Sequence, residues 1–164
     1  DLKKKNQIWH CLEGTPVFVI LAVIKNGKRI FIISFKGTDF FNMGDLNADL
    51  SILSKNVESH PRFKFCLDEV KKFSNAYPKY PIHLTGHSLG GAIAIFIHKK
   101  LGFPCMVFNP GTSICIDKTF DENKCIIHKT YEDTISAFLG FSGRTFIYKT
   151  GKDSFAAHNI DNFL

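Results

Sequence analysis

The sequence predicts an α/β domain: a mostly parallel central sheet, an antiparallel hairpin added at its front, and helices on both faces. Three observations carry this expectation. Two β-branched and aromatic runs, Thr15 to Ile24 and Arg29 to Phe35, are separated by Lys25-Asn26-Gly27-Lys28. Asn-Gly between such runs marks a two-residue hairpin turn, whose central residues both need positive φ. After Pro61, short apolar runs alternate with helical patterns, the order that builds parallel strands joined by crossover helices. Within that region an apolar run ends in Gly86-His87-Ser88-Leu89-Gly90, and a helical pattern begins immediately.

Size and composition bound the reading. The chain has 164 residues, which fits one domain, 1–164, around one core. Hydrophobic residues make up 45% and phenylalanine alone contributes 17, enough for a core without disulfides. The longest apolar run, Val17 to Ile24, is strand-length and far short of the ~18 residues of a spanning helix. The chain opens at Asp1 without a methionine, as expected where a leader has been trimmed. The five cysteines form no C-x-x-C pair and are odd in number, which favours free thiols and a reducing compartment. The net charge of +6 is carried by scattered lysines. That pattern is a solvated basic surface, suited at most to transient contact with a membrane surface and not to specific nucleic-acid binding.

Taken in order, Asp1 to Gln7 is polar and reads as a loosely held terminus. The hairpin follows and delivers the chain to Lys36-Gly37-Thr38-Asp39. Phe40 to Gly44 is apolar without clear period, and Asp45 to Leu50 begins a short helix or ordered loop. Arg62 to Tyr77 is an amphipathic helix with Phe63, Cys66, Leu67, Val70, Phe73 and Tyr77 on one face; Pro78 and Pro81 stop it. Leu89 to Leu101 is apolar round most of its circumference, as a helix buried against a sheet must be, and Gly102 and Pro104 end it. Cys105 to Phe108, Cys125 to His128 and Arg144 to Lys149 are short strands, and Ala156 to Leu164 one or two terminal helical turns.

The strand–turn–helix at Ser88 has the form of a G-x-S-x-G nucleophile elbow. Such a turn lifts a serine hydroxyl clear of the sheet. Gly86 and Gly90 suit it because strand and helix approach closely there. The Leu89 N–H, at a helix N-terminus, would face a developing oxyanion. The alternative is a glycine-rich turn whose serine merely caps the helix.

Several segments in order resemble the class 3 lipases of the α/β-hydrolase superfamily. Phe35-Lys36-Gly37-Thr38-Asp39 is similar to that family's F-R-G-T, with lysine in place of arginine. Asp45-Leu46-Asn47-Ala48-Asp49-Leu50 resembles its D-W-x-x-D-L, with leucine in place of tryptophan. Thr85 to Ala92 matches its elbow almost letter for letter, and Val107-Phe108-Asn109-Pro110-Gly111 resembles the segment after its next strand. The resemblance spans about Val17 to His158 and implies a compact α/β-hydrolase fold and an activity on lipid or other small esters; the cysteines lack pairing, so no metal or cofactor is expected. The chain is much shorter than typical members, which puts a full lid and a deep acyl pocket in question.

A serine nucleophile needs a base, itself held by a carboxylate. In α/β-hydrolases the order along the chain is serine, acid, histidine. The acids after Ser88 are Asp117, Asp121, Glu122, Glu132, Asp133, Asp153 and Asp161. The family's acid lies just beyond the strand after next, which implies Asp133, with Glu132 its rival; Asp133 could also cap the apolar stretch Thr134 to Leu139. For the base, His98 lies within the buried-helix pattern, His128 within a strand, and His87 inside the elbow, facing away from the catalytic side if Ser88 faces it. His158 follows a predicted strand and begins a segment similar to the family's terminal histidine segment. The resemblance further implies Thr38 as second oxyanion donor beside Leu89. It also places Phe40, Phe41 and Met43 where the family carries its lid or acyl-contact surface, as an acyl wall or as core. The same serine, acid and histidine would serve acyl transfer or thioester cleavage, and the fold could also be kept as a lipid- or protein-binding module.

Overall fold

The computed structural model describes residues 7–37, 59–111, 122–137 and 143–164. Among the described residues, seven strands form one sheet whose spatial order follows the chain. The strands are β1 (Gln7–Gly14), β2 (Phe18–Lys25), β3 (Lys28–Phe35), β4 (Ile82–His87), β5 (Cys105–Phe108), β6 (Cys125–Thr130) and β7 (Arg144–Tyr148). The first three pair antiparallel and the rest are parallel. The helices among the described residues are α1 (Pro61–Ala76), α2 (Leu89–Leu101), and two short ones, α3 (Thr134–Ala137) and α4 (Ser154–His158). A 3₁₀ turn, Ile160–Phe163, follows α4.

The β2–β3 hairpin turns at Asn26 (φ 51°) and Gly27 (φ 73°), the positive-φ pair that matches the twist of the flanking strands. β1 is an element the sequence reading did not expect: Gln7 to Gly14 form an edge strand paired with β2, while the rest of the terminus expected to be loose, residues 1–6, lies outside the described residues. Its Ile8, Trp9 and Leu12 are exposed, and its ladder shifts register between Cys11 and Glu13. An edge strand that buries neither face carries no hydrophobic alternation to read.

Register lines up one continuous apolar face. Phe18, Ile20 and Ala22 of β2 oppose Phe35, Ile33 and Phe31 of β3. The row runs on through Ile82, Leu84 and Gly86 to Cys105 and Val107, then Cys125 and Ile127. All of these hydrophobics are buried, each contributing roughly 1.5–3 kcal/mol where a large side chain leaves water. Helix α2 packs on β3, β4 and β5 and against α1. It is buried continuously from Leu89 to His98, as its apolar circumference requires. Gly102 (φ 75°) closes it in the left-handed conformation.

Helix α1 starts behind His60, whose Nδ1 accepts from the Arg62 N–H, with Pro61 opening the first turn. Its Phe63, Cys66 and Val70 are buried, and Leu67 and Phe73 pack on the core. Phe63 meets Phe96 of α2 with ring centroids 5.4 Å apart, and Phe73 meets Phe31 at 5.0 Å. Cys105 and Cys125, register partners, are buried free thiols 3.2 Å apart. Cys66 is also a buried free thiol, pushed up to about 11 by burial, and behaves as a small hydrophobe. Among the described residues, no helix is long and apolar enough to cross a membrane.

Candidate active site

The parallel arrangement of β3, β4 and β5 brings the ends of three strands together, and Ser88 stands at the tip of β4. Its backbone sits at φ 55°, ψ −126°, a region costly for a residue with a Cβ, on the order of 1–3 kcal/mol. Three backbone bonds hold it there: Ser88 N to Phe108 O at 3.2 Å, Ala92 N to Ser88 O at 3.1 Å and Gly111 N to Ser88 O at 2.9 Å. The hydroxyl makes no capping bond to α2, so the helix-cap alternative does not describe this serine. Ser88 is 1% exposed.

Close packing permits the turn. A Cβ on Gly86 would lie 2.7 Å from Gly91 N, and one on Gly90 would collide with the Phe35 carbonyl. The end of β3 therefore lies directly against the start of α2. A Cβ on Gly37 would come 2.9 Å from His87 O and 3.4 Å from the Ser88 Cβ. The chain thus passes beside the serine one residue before Thr38. Thr38, Phe40, Phe41 and Met43 themselves lie outside the described residues. Leu89 opens α2 and is buried.

Two loops at the same C-terminal end of the parallel strands bring the remaining candidates together. Asp133 follows β6, and His158 ends α4 after β7. Asp133 Oδ2 lies 2.8 Å from His158 Nδ1, and both side chains are fully buried. A carboxylate accepts only, so Nδ1 carries a proton and Nε2 is left as the basic nitrogen of the neutral ring.

Glu132, one residue away, does something else. Its carboxylate accepts from Thr150 N (3.1 Å), Thr150 Oγ1 (3.0 Å) and Gly151 N (3.0 Å). These bonds, the Gly151 N–H first, pull its pKa down to about 2. It fixes the turn after β7 and does not reach the imidazole. Two of the other candidate histidines, His98 and His128, are also otherwise engaged. His98 Nδ1 meets Phe103 O at 2.5 Å. His128 stacks on Phe108 and Phe146, with Nδ1 2.8 Å from the Tyr148 hydroxyl.

Sequence reasoning missed the groups that seat His158. Asn109, fully buried at φ 37°, accepts from Thr130 N (2.8 Å) and donates to Ala157 O (3.0 Å) and His158 O (3.3 Å). Thr130 Oγ1 donates to Ala157 O at 2.7 Å. His87 corrects a further expectation. It does not turn away from the site, because its Nε2 lies 2.6 Å from His158 O and the two rings are 4.8 Å apart. Burial holds its pKa down to about 4. The signal available for Asn109 was a polar residue inside an apolar segment beside Pro110, which by itself reads as a turn. Among the described residues, no three His, Cys, Asp or Glu side chains gather as metal ligands.

The chemistry of this end of the sheet is thus a strained serine near a buried carboxylate–imidazole pair. Residues 62–123, which include the elbow, match the family described as Lipase (class 3). A stretch of 66 residues is 38% identical to ATG15 of Saccharomyces cerevisiae, provisionally named a lipase, covering 39% of this chain and 13% of that protein. Another of 32 residues is 56% identical to Lipase A of Sodiomyces alcalophilus, covering 20% of this chain and 8% of that protein. Among solved structures, a lipase–propeptide complex of Rhizomucor miehei superposes with TM-score 0.53 at 12% identity, covering 94% of this chain and 64% of that one. The chain therefore spans less than two thirds of these proteins. The likeness to class 3 lipases seen in the motifs stands, and the fold is that of the α/β-hydrolase lipases.

Proposed function

We propose that this chain is a serine hydrolase that cleaves carboxylic esters of lipids, glycerides or lysolipids, through an acyl-enzyme. The observation that carries the reading is the buried Asp133–His158 pair, 2.8 Å across, at the C-terminal end of the parallel strands, where Ser88 stands in a strained turn. In this mechanism His158 Nε2 removes the Ser88 proton as Oγ attacks the ester carbonyl. Asp133 holds the ring in that tautomer and stabilises the imidazolium. His158 then returns the proton to the leaving alcohol, and water releases the acyl group by the same route.

The oxyanion is assigned to the Leu89 N–H at the start of α2 and to Thr38. Phe40, Phe41 and Met43 are assigned to the acyl-contact wall, and the basic surface to transient contact with an anionic lipid surface. The test is hydrolysis of p-nitrophenyl esters from acetate to palmitate by the wild type and by Ser88→Ala. We expect turnover by the wild type and a loss on the order of 10⁴-fold or more in the variant. A peak at long acyl chains makes the chain a lipase, and one at short chains an esterase with a shallow pocket. Folded wild type inert at every length, or Ser88→Ala as active as wild type, refutes the proposal.

A further inference from the structure

The base is carried by a poor scaffold. α4 has five residues, too few to hold a helix by its own hydrogen bonds. Its Ala156 is exposed, and Ala157 supplies a single buried methyl. Polar groups from other elements must therefore fix where the imidazole stands. Asn109, Thr130 and Asn162 hold the Ala157 carbonyl at 3.0, 2.7 and 3.0 Å. The His158 carbonyl receives Asn109 Nδ2 at 3.3 Å and His87 Nε2 at 2.6 Å. The shorter contact comes from the residue that immediately precedes Ser88. A carbonyl oxygen only accepts, so His87 is the tautomer with its proton on Nε2. That nitrogen is committed to the backbone of His158 and cannot serve as a base.

We propose that His87 is a positioning residue: its Nε2–H ties the backbone of the base to the strand that bears the nucleophile, so that nucleophile and base are spaced by one hydrogen bond. A turn of β4 that moved Ser88 would carry His87, and through it His158, along with it. The inference rests on the reading of Ser88, Asp133 and His158 as a catalytic set. It adds a role for the motif's variable position that packing alone would not require, since an apolar ring would fill the same space.

The experiment compares His87→Gln with His87→Met. The two side chains have similar length and volume, but only glutamine has an amide N–H that can stand in for Nε2–H. With the best p-nitrophenyl ester, His87→Met is expected to lose about 10–100-fold in kcat, as sub-ångström displacement of a catalytic group does, with KM within about 2-fold. His87→Gln is expected to keep most of the wild-type kcat. Wild-type kcat in folded His87→Met, or equal losses in both variants, overturns the proposal. If His87→Met does not fold, His87→Phe takes its place.

A second readout needs no turnover: the proton on His158 Nδ1, bonded to Asp133, gives a low-field proton resonance. We expect it to persist in His87→Gln and to broaden or shift in His87→Met. An unchanged signal in His87→Met counts against the proposal. Wild type that neither hydrolyses esters nor reacts with a fluorophosphonate at Ser88 would instead refute the hydrolase reading, leaving the resonance to judge the positioning role.

Discussion

The nucleophile and the base are held by opposite means. Ser88 is seated by backbone and by the absence of side chains. Gly86 and Gly90 let strand, turn and helix meet, and three main-chain bonds fix the serine. His158 is seated by side chains: Asp133, Asn109, Thr130 and His87, drawn from the ends of β4, β5 and β6, converge on one ring and two carbonyls. The first arrangement is steric and stiff, because backbone cannot move aside. The second is a buried polar network, whose members are costly to remove singly because each loss strands a partner.

The contrast can be broken from the steric side first. Gly90→Ala forces a methyl into the Phe35 carbonyl. It should destabilise the fold by about 3 kcal/mol or more, since backbone and not a flexible side chain must yield. Gly102→Ala is the matched control at the other end of α2. It meets nothing within 4 Å and bears only the strain of φ 75°, so about 1 kcal/mol is expected. Urea unfolding of both variants measures the difference, and similar costs would show that close packing at the elbow is not decisive.

The polar side is probed next. Asn109→Ala strands the Thr130 N–H and removes a donor from Ala157 and His158. Each orphaned buried group costs about 1–3 kcal/mol, so a loss of roughly 2–3 kcal/mol is expected, with ester turnover falling while the elbow stays folded. A neutral result would remove Asn109 from the clamp.

The smallest effect sharpens the comparison through pH. Burial lowers the His87 pKa from 6.5 to about 4. Below pH 6.5 the unfolded chain takes up a proton that the folded one refuses, so stability present above that pH is lost as pH falls towards 4. The loss should be on the order of 1–3 kcal/mol, and it should be absent from the difference between pH 7 and pH 4 in His87→Gln. Glu132, pulled down to about 2, acts in a separate window, its contribution being lost only below about pH 4.5. Unfolding curves at pH 7, 5.5 and 4 separate the two. An identical acid profile in His87→Gln would deny His87 its buried, neutral state.

What could be read from the chain follows the same division. The elbow lies within five consecutive residues, and its glycines state their purpose locally. The Asn26-Gly27 turn, the apolar face of α1 and the all-round apolarity of α2 are equally local, and α2 begins and ends where its pattern does. β1 was not legible, because an edge strand exposed on both faces leaves no period in its side chains. Glu132 and Asp133 are neighbours of like charge, and nothing in composition tells which one reaches an imidazole. Only the exit of the chain from β6 points one at His158 and the other at Thr150 and Gly151.

The sequence by itself determined the architecture of strands and helices and the strained serine between β4 and α2, because hydrophobic period and glycine placement act over a few residues. The tertiary structure separated Asp133, which the family resemblance favoured, from its rival Glu132, and made Asn109, Thr130 and His87 the seat of His158. Those groups stand between 28 and 71 residues from His158 along the chain and become neighbours only where strand ends assemble. Hydrogen bonds between such distant segments leave no pattern in either segment taken alone.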